Sequence, residues 1–146
     1  MPASSHGVRE AGLADVDAIA ALDQAASGLG RRPLLHHFLA RSGSRAFLTR
    51  DGSGFAIVRE GRSATQVGPL AASNVEAATA LLGAALQATA ASAAVYVDVP
   101  ARCIELAEAL RRLRFSVQRP FVRMALDVPP PPCSDRSYAL AGPEFG

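Results

Sequence analysis

Val67-Gly68-Pro69-Leu70-Ala71-Ala72-Ser73-Asn74-Val75-Glu76-Ala77, the middle of the segment Ala64–Ala85, reads as a strand that turns directly into a helix. Ala64–Leu70 is rich in strand-compatible residues. Ser73-Asn74-Val75-Glu76 has the form of a capping box, with Ser73 accepting from the Glu76 backbone and Glu76 reaching back. Val75, Ala78, Leu82, Ala85 and Leu86 then recur at helical spacing and predict the buried face of that helix. Ala94–Val99 follows as another strand, so Ala64–Val99 forms a strand–helix–strand unit, which a parallel sheet joins by a right-handed crossover.

Upstream of this unit, Arg45–Thr49 and Phe55–Arg59 are short strands joined by Asp51-Gly52-Ser53-Gly54, whose glycines suit a tight hairpin. Glu60-Gly61-Arg62-Ser63 makes the next turn. Before them, His6–Glu10 predicts a first strand. A helix starts near Asp15, with Val16, Ile19, Ala20 and Ala26 in step up to Gly28, and a second carries Pro33 in its first turn and Leu34, Leu35, Phe38 and Leu39 on its apolar face. Downstream, Ile104, Leu106, Ala107, Leu110 and Leu113 pattern a fourth helix. Phe115–Gln118 and Phe121–Leu126 predict two closing strands around Arg119-Pro120.

The predicted order is β-α-α-β-β-β-α-β-α-β-β, an α/β architecture (α+β in the sense of a mixed sheet) occupying residues 1–127. Residues 128–146 form a separate tail, in which Pro129–Pro132 is a stiff extended spacer. Ser134–Gly146 is either disordered or docked on a partner surface, since Tyr138, Leu140 and Phe145 are apolar enough for both.

Composition narrows the function. The chain has 146 residues, 49% of them hydrophobic, which suits one domain with a real core. Its 15 basic residues are all arginines, nearly balanced by 13 acids, so the net charge is only +2. That balance, with the arginines dispersed, argues against a nucleic-acid partner. Ala77–Val97 carries no charged side chain, but Thr79, Gln87, Thr89 and Ser92 interrupt it and it divides into helix and strand, so no membrane span is expected. Met1–Gly7 has neither the basic start nor the apolar run of a secretory signal. Cys103 and Cys133 lack metal-ligand spacing and read as thiols of a reducing cytoplasm. His36 and His37 are adjacent on a helix and diverge by about 100°, so they read as a solvated face and no metal site is expected.

The element order and the stretch Val67–Ala77 resemble the GNAT superfamily of acetyl-CoA-dependent N-acetyltransferases, over about Gly7–Leu126. Val67, Pro69 and Ala77 fit that family's strand-to-helix signature V-x-P-x-x-[RQ]-G-x-G-x-[GA]. Ala72 stands in the Arg or Gln position, and Ser73 and Val75 replace motif glycines. Leu110-Arg111-Arg112-Leu113-Arg114-Phe115 looks like the family's Y-E-K-x-G-F, with Leu110 where many members place a tyrosine acid and Arg114 where they place glycine. Gly28–Leu35, Gln118–Met124 and Ala141–Gly146 are similar to the divergent C-terminal GNAT domain of two-domain bacterial acetyltransferases.

The resemblance implies acetyl-CoA as co-substrate and a small-molecule or peptide amine as acceptor. It places the pantetheine arm in a gap between the strands holding Val67–Leu70 and Val95–Val99, with Gly68 or Leu70 N–H facing the thioester oxygen. The pyrophosphate then lies on the backbone N–H groups of Ser73, Asn74, Val75, Glu76 and Ala77, where the helix dipole favours anions. Val75 adds bulk there, and the Glu76 carboxylate opposes phosphate. Asp98, at the end of its strand, is the candidate proton acceptor, or else a turn cap. Tyr96 is the candidate replacement acid, or else a sheet-packing residue. The alternative function is a GNAT fold that has lost catalysis and serves as a binding module. A homodimer or an adjoining GNAT domain is the partner implied.

Overall fold

A computed structural model of the chain describes residues 7–91, 93–128 and 134–145. The spacer at 129–132, Cys133 and the residues before Gly7 lie outside them.

The chain begins with strand β1 (Val8–Ala11), a 3-10 turn at Leu13–Asp15 and helix α1 (Val16–Ser27). Gly28 ends α1 in the left-handed region, at φ +73°. Helix α2 (Arg32–Ala40) then turns Leu35 and Phe38 inward, and leaves His36 and His37 exposed. Strands β2 (Ser44–Thr49), β3 (Gly54–Glu60) and β4 (Thr65–Ala72) form an antiparallel meander onto which β1 adds at the β2 edge. Helix α3 (Val75–Gln87) crosses back to β5 (Val95–Val97), which runs parallel to β4, and helix α4 (Ile104–Arg112) follows.

Period-two alternation sorts the strands onto two cores. Phe47, Ala56, Val58, Val67 and Leu70 meet α3 and α4, whereas Ala46, Leu48, Phe55, Ile57 and Ala71 meet α1 and α2. One-sided helices therefore cover both faces of the sheet. Burial on α3 runs through Ala77, Ala78, Leu81, Leu82 and Ala85, so Ala78, Leu82 and Ala85 are buried as predicted while Ala77 and Leu81 replace the half-buried Val75 and Leu86.

Three local expectations are corrected. The cap of α3 is Asn74, whose Oδ1 accepts from Ala77 N at 2.9 Å, so the capping box that Ser73 and Glu76 predict does not form. Asn is as strong an N-cap as Ser, and the register of buried alanines selects it. On α4 only Leu106 and Leu110 are buried, while Ile104 and Leu113 are exposed, because the helix is short and meets its neighbour along one narrow seam.

The third correction is the largest. Phe115–Gln118 and Phe121–Leu126 do not form strands, and Val117, Val122, Met124 and Leu126 are 77–89% exposed. Strand propensity alone does not hold a segment in a sheet without a paired neighbour, and β5 offers them only a three-residue edge. The last strand is instead β6 (Ser137–Ala139), from the tail, which pairs antiparallel with β4. The tail thus docks on its own sheet.

Candidate active site

The parallel pairing of β4 with β5 lasts for three residues, Thr65 to Val67 against Val95 to Val97. Immediately beyond, Gly68 and Pro69 together face the single residue Ile57 of β3, a bulge between the Ala56 and Val58 pairings. A bulge bends its strand and sharpens the local twist. The strands consequently fork at Val67, with the β4 arm running to the start of α3 and the β5 arm ending at Asp98.

At the end of the β4 arm, Ser73 N donates to Ser53 O at 3.0 Å, which removes one expected phosphate donor. Ala77 N is occupied by the Asn74 cap, and Ala78 N by Asn74 O. The N–H groups of Asn74, Val75 and Glu76 have no partner among the described residues, as the first turn of a helix requires. Three of the five expected backbone donors are therefore available for an anion at the positive end of a thirteen-residue helix. Glu76 is exposed and directed away from the core.

On the β5 arm, Asp98 is half-buried and its Oδ2 accepts from Gln66 Nε2 at 3.0 Å. Burial raises its carboxyl above the usual carboxylate range, and the Gln66 hydrogen bond only partly offsets this. Gln66 is in register with Tyr96, so one residue links both candidates. Tyr96 itself is 40% exposed, with its hydroxyl accepting from Gln118 Nε2 at 3.2 Å. Its ring is therefore not enclosed by the sheet. Leu110, in the family's tyrosine position, is buried in the α3–α4 core and lies outside the fork.

Arg59 is the residue that sequence reasoning missed. It is buried on β3, its Nε donates to Gly68 O at 3.3 Å, and a second nitrogen donates to Ala141 O. Its guanidinium lies 4.2 Å from the Phe38 ring centroid and 5.6 Å from that of Phe145. Desolvation pulls its pKa down, opposed first by Glu144. A signal was present, since Arg59 continues the inward stripe Phe55, Ile57 at period two, and an arginine on a buried stripe needs partners. A partly buried cation, Arg31, binds the buried Asp23 through two bonds of 2.7 and 3.0 Å on the same side of the sheet.

The tail fills the fork. Leu70 and Ala71 of β4 are registered with Ala139 and Ser137, and Ala72 N donates to Arg136 O at 2.9 Å. Leu140 N donates to Asp98 O at 2.9 Å, which fastens the same segment to the β5 arm. Gly68 and Leu70, the expected oxyanion donors, both lie against it.

The family model described as an acetyltransferase (GNAT) domain matches residues 19–139. No protein of curated function matches the chain significantly. Among solved structures, a ribosomal-protein-alanine N-acetyltransferase from Brucella melitensis biovar Abortus 2308 superposes with TM-score 0.58 at 15% identity, covering 84% of this chain and 99% of its own. The aminoglycoside N-acetyltransferase AAC(6')-Iy in complex with CoA superposes with TM-score 0.60 at 12% identity, covering 88% and 99%. An aminoglycoside acetyltransferase from an uncultured soil metagenomic sample gives 0.57 at 18%, covering 86% and 99%. These likenesses are of fold, and the family match spans most of the chain: it belongs to the GNAT acetyltransferase domain family.

Proposed function

We propose that the chain is an N-acetyltransferase that moves an acetyl group from acetyl-CoA to the amine of a small molecule or peptide in the cytoplasm. The observation that carries this reading is the fork at Val67, which leads along β4 to three unbonded N–H groups at the start of α3. An extended thioester arm fits such a fork once the tail residues paired there have left, because β4 then presents main-chain groups, and the α3 terminus suits the pyrophosphate.

In the reaction, the amine lone pair attacks the thioester carbonyl carbon, forming the C–N bond. The C–S bond then breaks, and its electron pair leaves on sulfur. The main-chain N–H of Gly68 or Leu70 faces the oxygen on which charge develops. Asp98 receives the proton lost by the amine, directly or through one water, and its raised pKa makes it a better base than an ordinary aspartate. Leu110 leaves no acid in the family's tyrosine position, so water protonates the departing thiolate, or Tyr96 does so after rotation of its exposed ring.

The filled fork favours a second reading, a GNAT fold used for binding with an adjoining domain or a second copy as partner. Calorimetric titration with acetyl-CoA separates the two. Heat and thermal stabilisation support the acetyltransferase reading; neither effect at millimolar ligand, from the chain or from a variant whose tail is displaced, removes it.

A further inference from the structure

We propose that residues 134–145 are an intramolecular occupant of the fork between β4 and β5, so that tail docking and acyl-CoA binding exclude each other. The proposal rests on the acyl-CoA reading of the fork given above.

The tail enters beside α1, where Ser134 N and Oγ both donate to Ala26 O, at 3.3 and 2.9 Å. It then takes the β4 edge that β5 gives up after Val67, pairing at Ala71 and Leu70. Leu140 N reaches Asp98 O on the opposite arm, so the segment bridges the two strands at the place where they part. Beyond it, Arg59 holds Ala141 O, Phe145 meets Phe38 edge-on at 5.3 Å, and Arg31 Nη1 donates to Phe145 O at 3.3 Å. Ala139 and Ala141 are 1% and 0% exposed. No second extended chain fits beside β4 while these residues remain.

The contacts also suit a reversible occupant. Inside the fork the tail is held through its own main-chain groups, by β4, the Asp98 carbonyl and the side chains of Arg59, Arg102 and Cys103, and its inward side chains, Ser137, Ala139 and Ala141, are small. Its departure uncovers an edge of amides and carbonyls, the Asp98 carbonyl among them, together with the Arg59 guanidinium. A pantetheine arm, extended and carrying two amides, replaces that kind of bonding in kind. The tail therefore gates the thioester path.

Hydrogen exchange on the full chain with and without CoA tests this. The expected result is that amides of Ser137–Ala141 lose protection as CoA saturates the protein. A second arm uses Ala139→Asp, which places a carboxylate in the apolar cluster around Leu70 and Leu106 and expels the tail. This variant is expected to bind CoA about tenfold tighter or more, because apparent affinity scales with the fraction of open forks. A peptide of sequence 134–146 added to it should restore the weaker value. Unchanged tail protection with CoA bound, or equal affinity for the two proteins, overturns the exclusion while leaving the acyl-CoA reading standing. Binding of CoA by neither protein overturns the acyl-CoA reading and the exclusion together. If circular dichroism shows Ala139→Asp unfolded, exchange on the unaltered chain decides alone.

Discussion

Gly68 and Leu140 are packed so closely that a Cβ on Gly68 would overlap the Leu140 carbonyl oxygen, and Gly68 holds φ at +148°. The Leu140 contact requires glycine while the tail is docked, and the positive φ disfavours a side chain there in either case. Gly68→Ala is expected to destabilise the protein by more than about 1 kcal/mol, since the side chain meets backbone rather than a movable group. Thermal unfolding reads the loss. Exchange at Leu140 and Ala141 should rise first, and a variant with unchanged stability and unchanged tail protection would show that the tail does not press on Gly68.

Asp98 combines a functional expectation with an opposite stability expectation. Its folded pKa is raised, so the folded state holds the proton more tightly than the unfolded state. The sign follows: stability is highest below the ordinary carboxylate range and falls as pH rises from that range through the raised folded value. Asp98→Asn removes this penalty at neutral pH and keeps an acceptor for the Gln66 amide. The variant should be at least as thermostable as the parent at pH 7, while kcat/KM for acetyl transfer falls about 10²- to 10⁴-fold, as for loss of a general base. A variant that loses stability and keeps activity assigns Asp98 to the fold alone.

Arg31 and Asp23 form a bidentate pair with side-chain exposures of only 12% and 3%, joining the α1–α2 linker to α1. Removing one member of such a buried pair strands the other charge, at a cost of about 3–5 kcal/mol. Asp23→Ala should therefore lower the denaturation midpoint strongly, and Arg31→Ala should do the same while also releasing Phe145 O. Asp17 and Arg32, paired at 2.7 Å but exposed, provide the contrast: Asp17→Ala should shift stability by less than about 1 kcal/mol. Equal losses at the two sites would contradict this ranking.

The strand–helix–strand unit was legible because local rules and tertiary packing agree there. The spacing of Ala78, Leu82 and Ala85 specifies what the sheet needs there, as the continuous apolar run Phe55–Val58 and the glycines of Asp51–Gly54 do in the hairpin before it. Asp98 was legible as a position because strand ends are visible in sequence, whereas its bond to Gln66 spans 32 residues and has no local signature. The closing strands failed for a different reason. Val117, Phe121, Val122 and Met124 carry strand propensity, but a strand exists only with a neighbour, and the β4 edge is taken by Ser137–Ala139. Which segment finds a paired edge depends on long-range contacts that propensity does not encode.

Asn74 caps α3 and Val75 is its first helical residue, in the turn proposed to take the pyrophosphate. Val75→Gly frees the approach to the N–H groups of Val75 and Glu76, at a helix-propensity cost of up to about 1 kcal/mol in an interior position and less in the first turn. Acetyl-CoA should bind more tightly to this variant, by calorimetry, even though its melting temperature is slightly lower. Weaker binding would show that the pyrophosphate lies elsewhere than on this turn.

Arg114 ends α4 in the left-handed region at φ +68°, a conformation that costs a side-chain-bearing residue roughly 1–2 kcal/mol. The surrounding bonds are those of a Schellman cap: Phe115 N donates to Leu110 O at 3.0 Å and Arg114 N to Arg111 O at 2.9 Å. Phe115 also packs on the core that contains Leu110, which supplies the apolar contact such caps carry. The cap thus forms without glycine, because hydrogen bonds and the Phe115 contact outweigh the strain. Arg114→Gly should relieve that strain and stabilise the protein by about 1 kcal/mol, less the entropy that glycine adds to the unfolded chain. Chemical denaturation should show a higher midpoint with an unchanged slope. Because Arg114 is exposed and remote from Asp98 and the α3 terminus, CoA binding should not move with it. A lower midpoint would mean that the guanidinium makes a stabilising contact strong enough to hold the chain at positive φ.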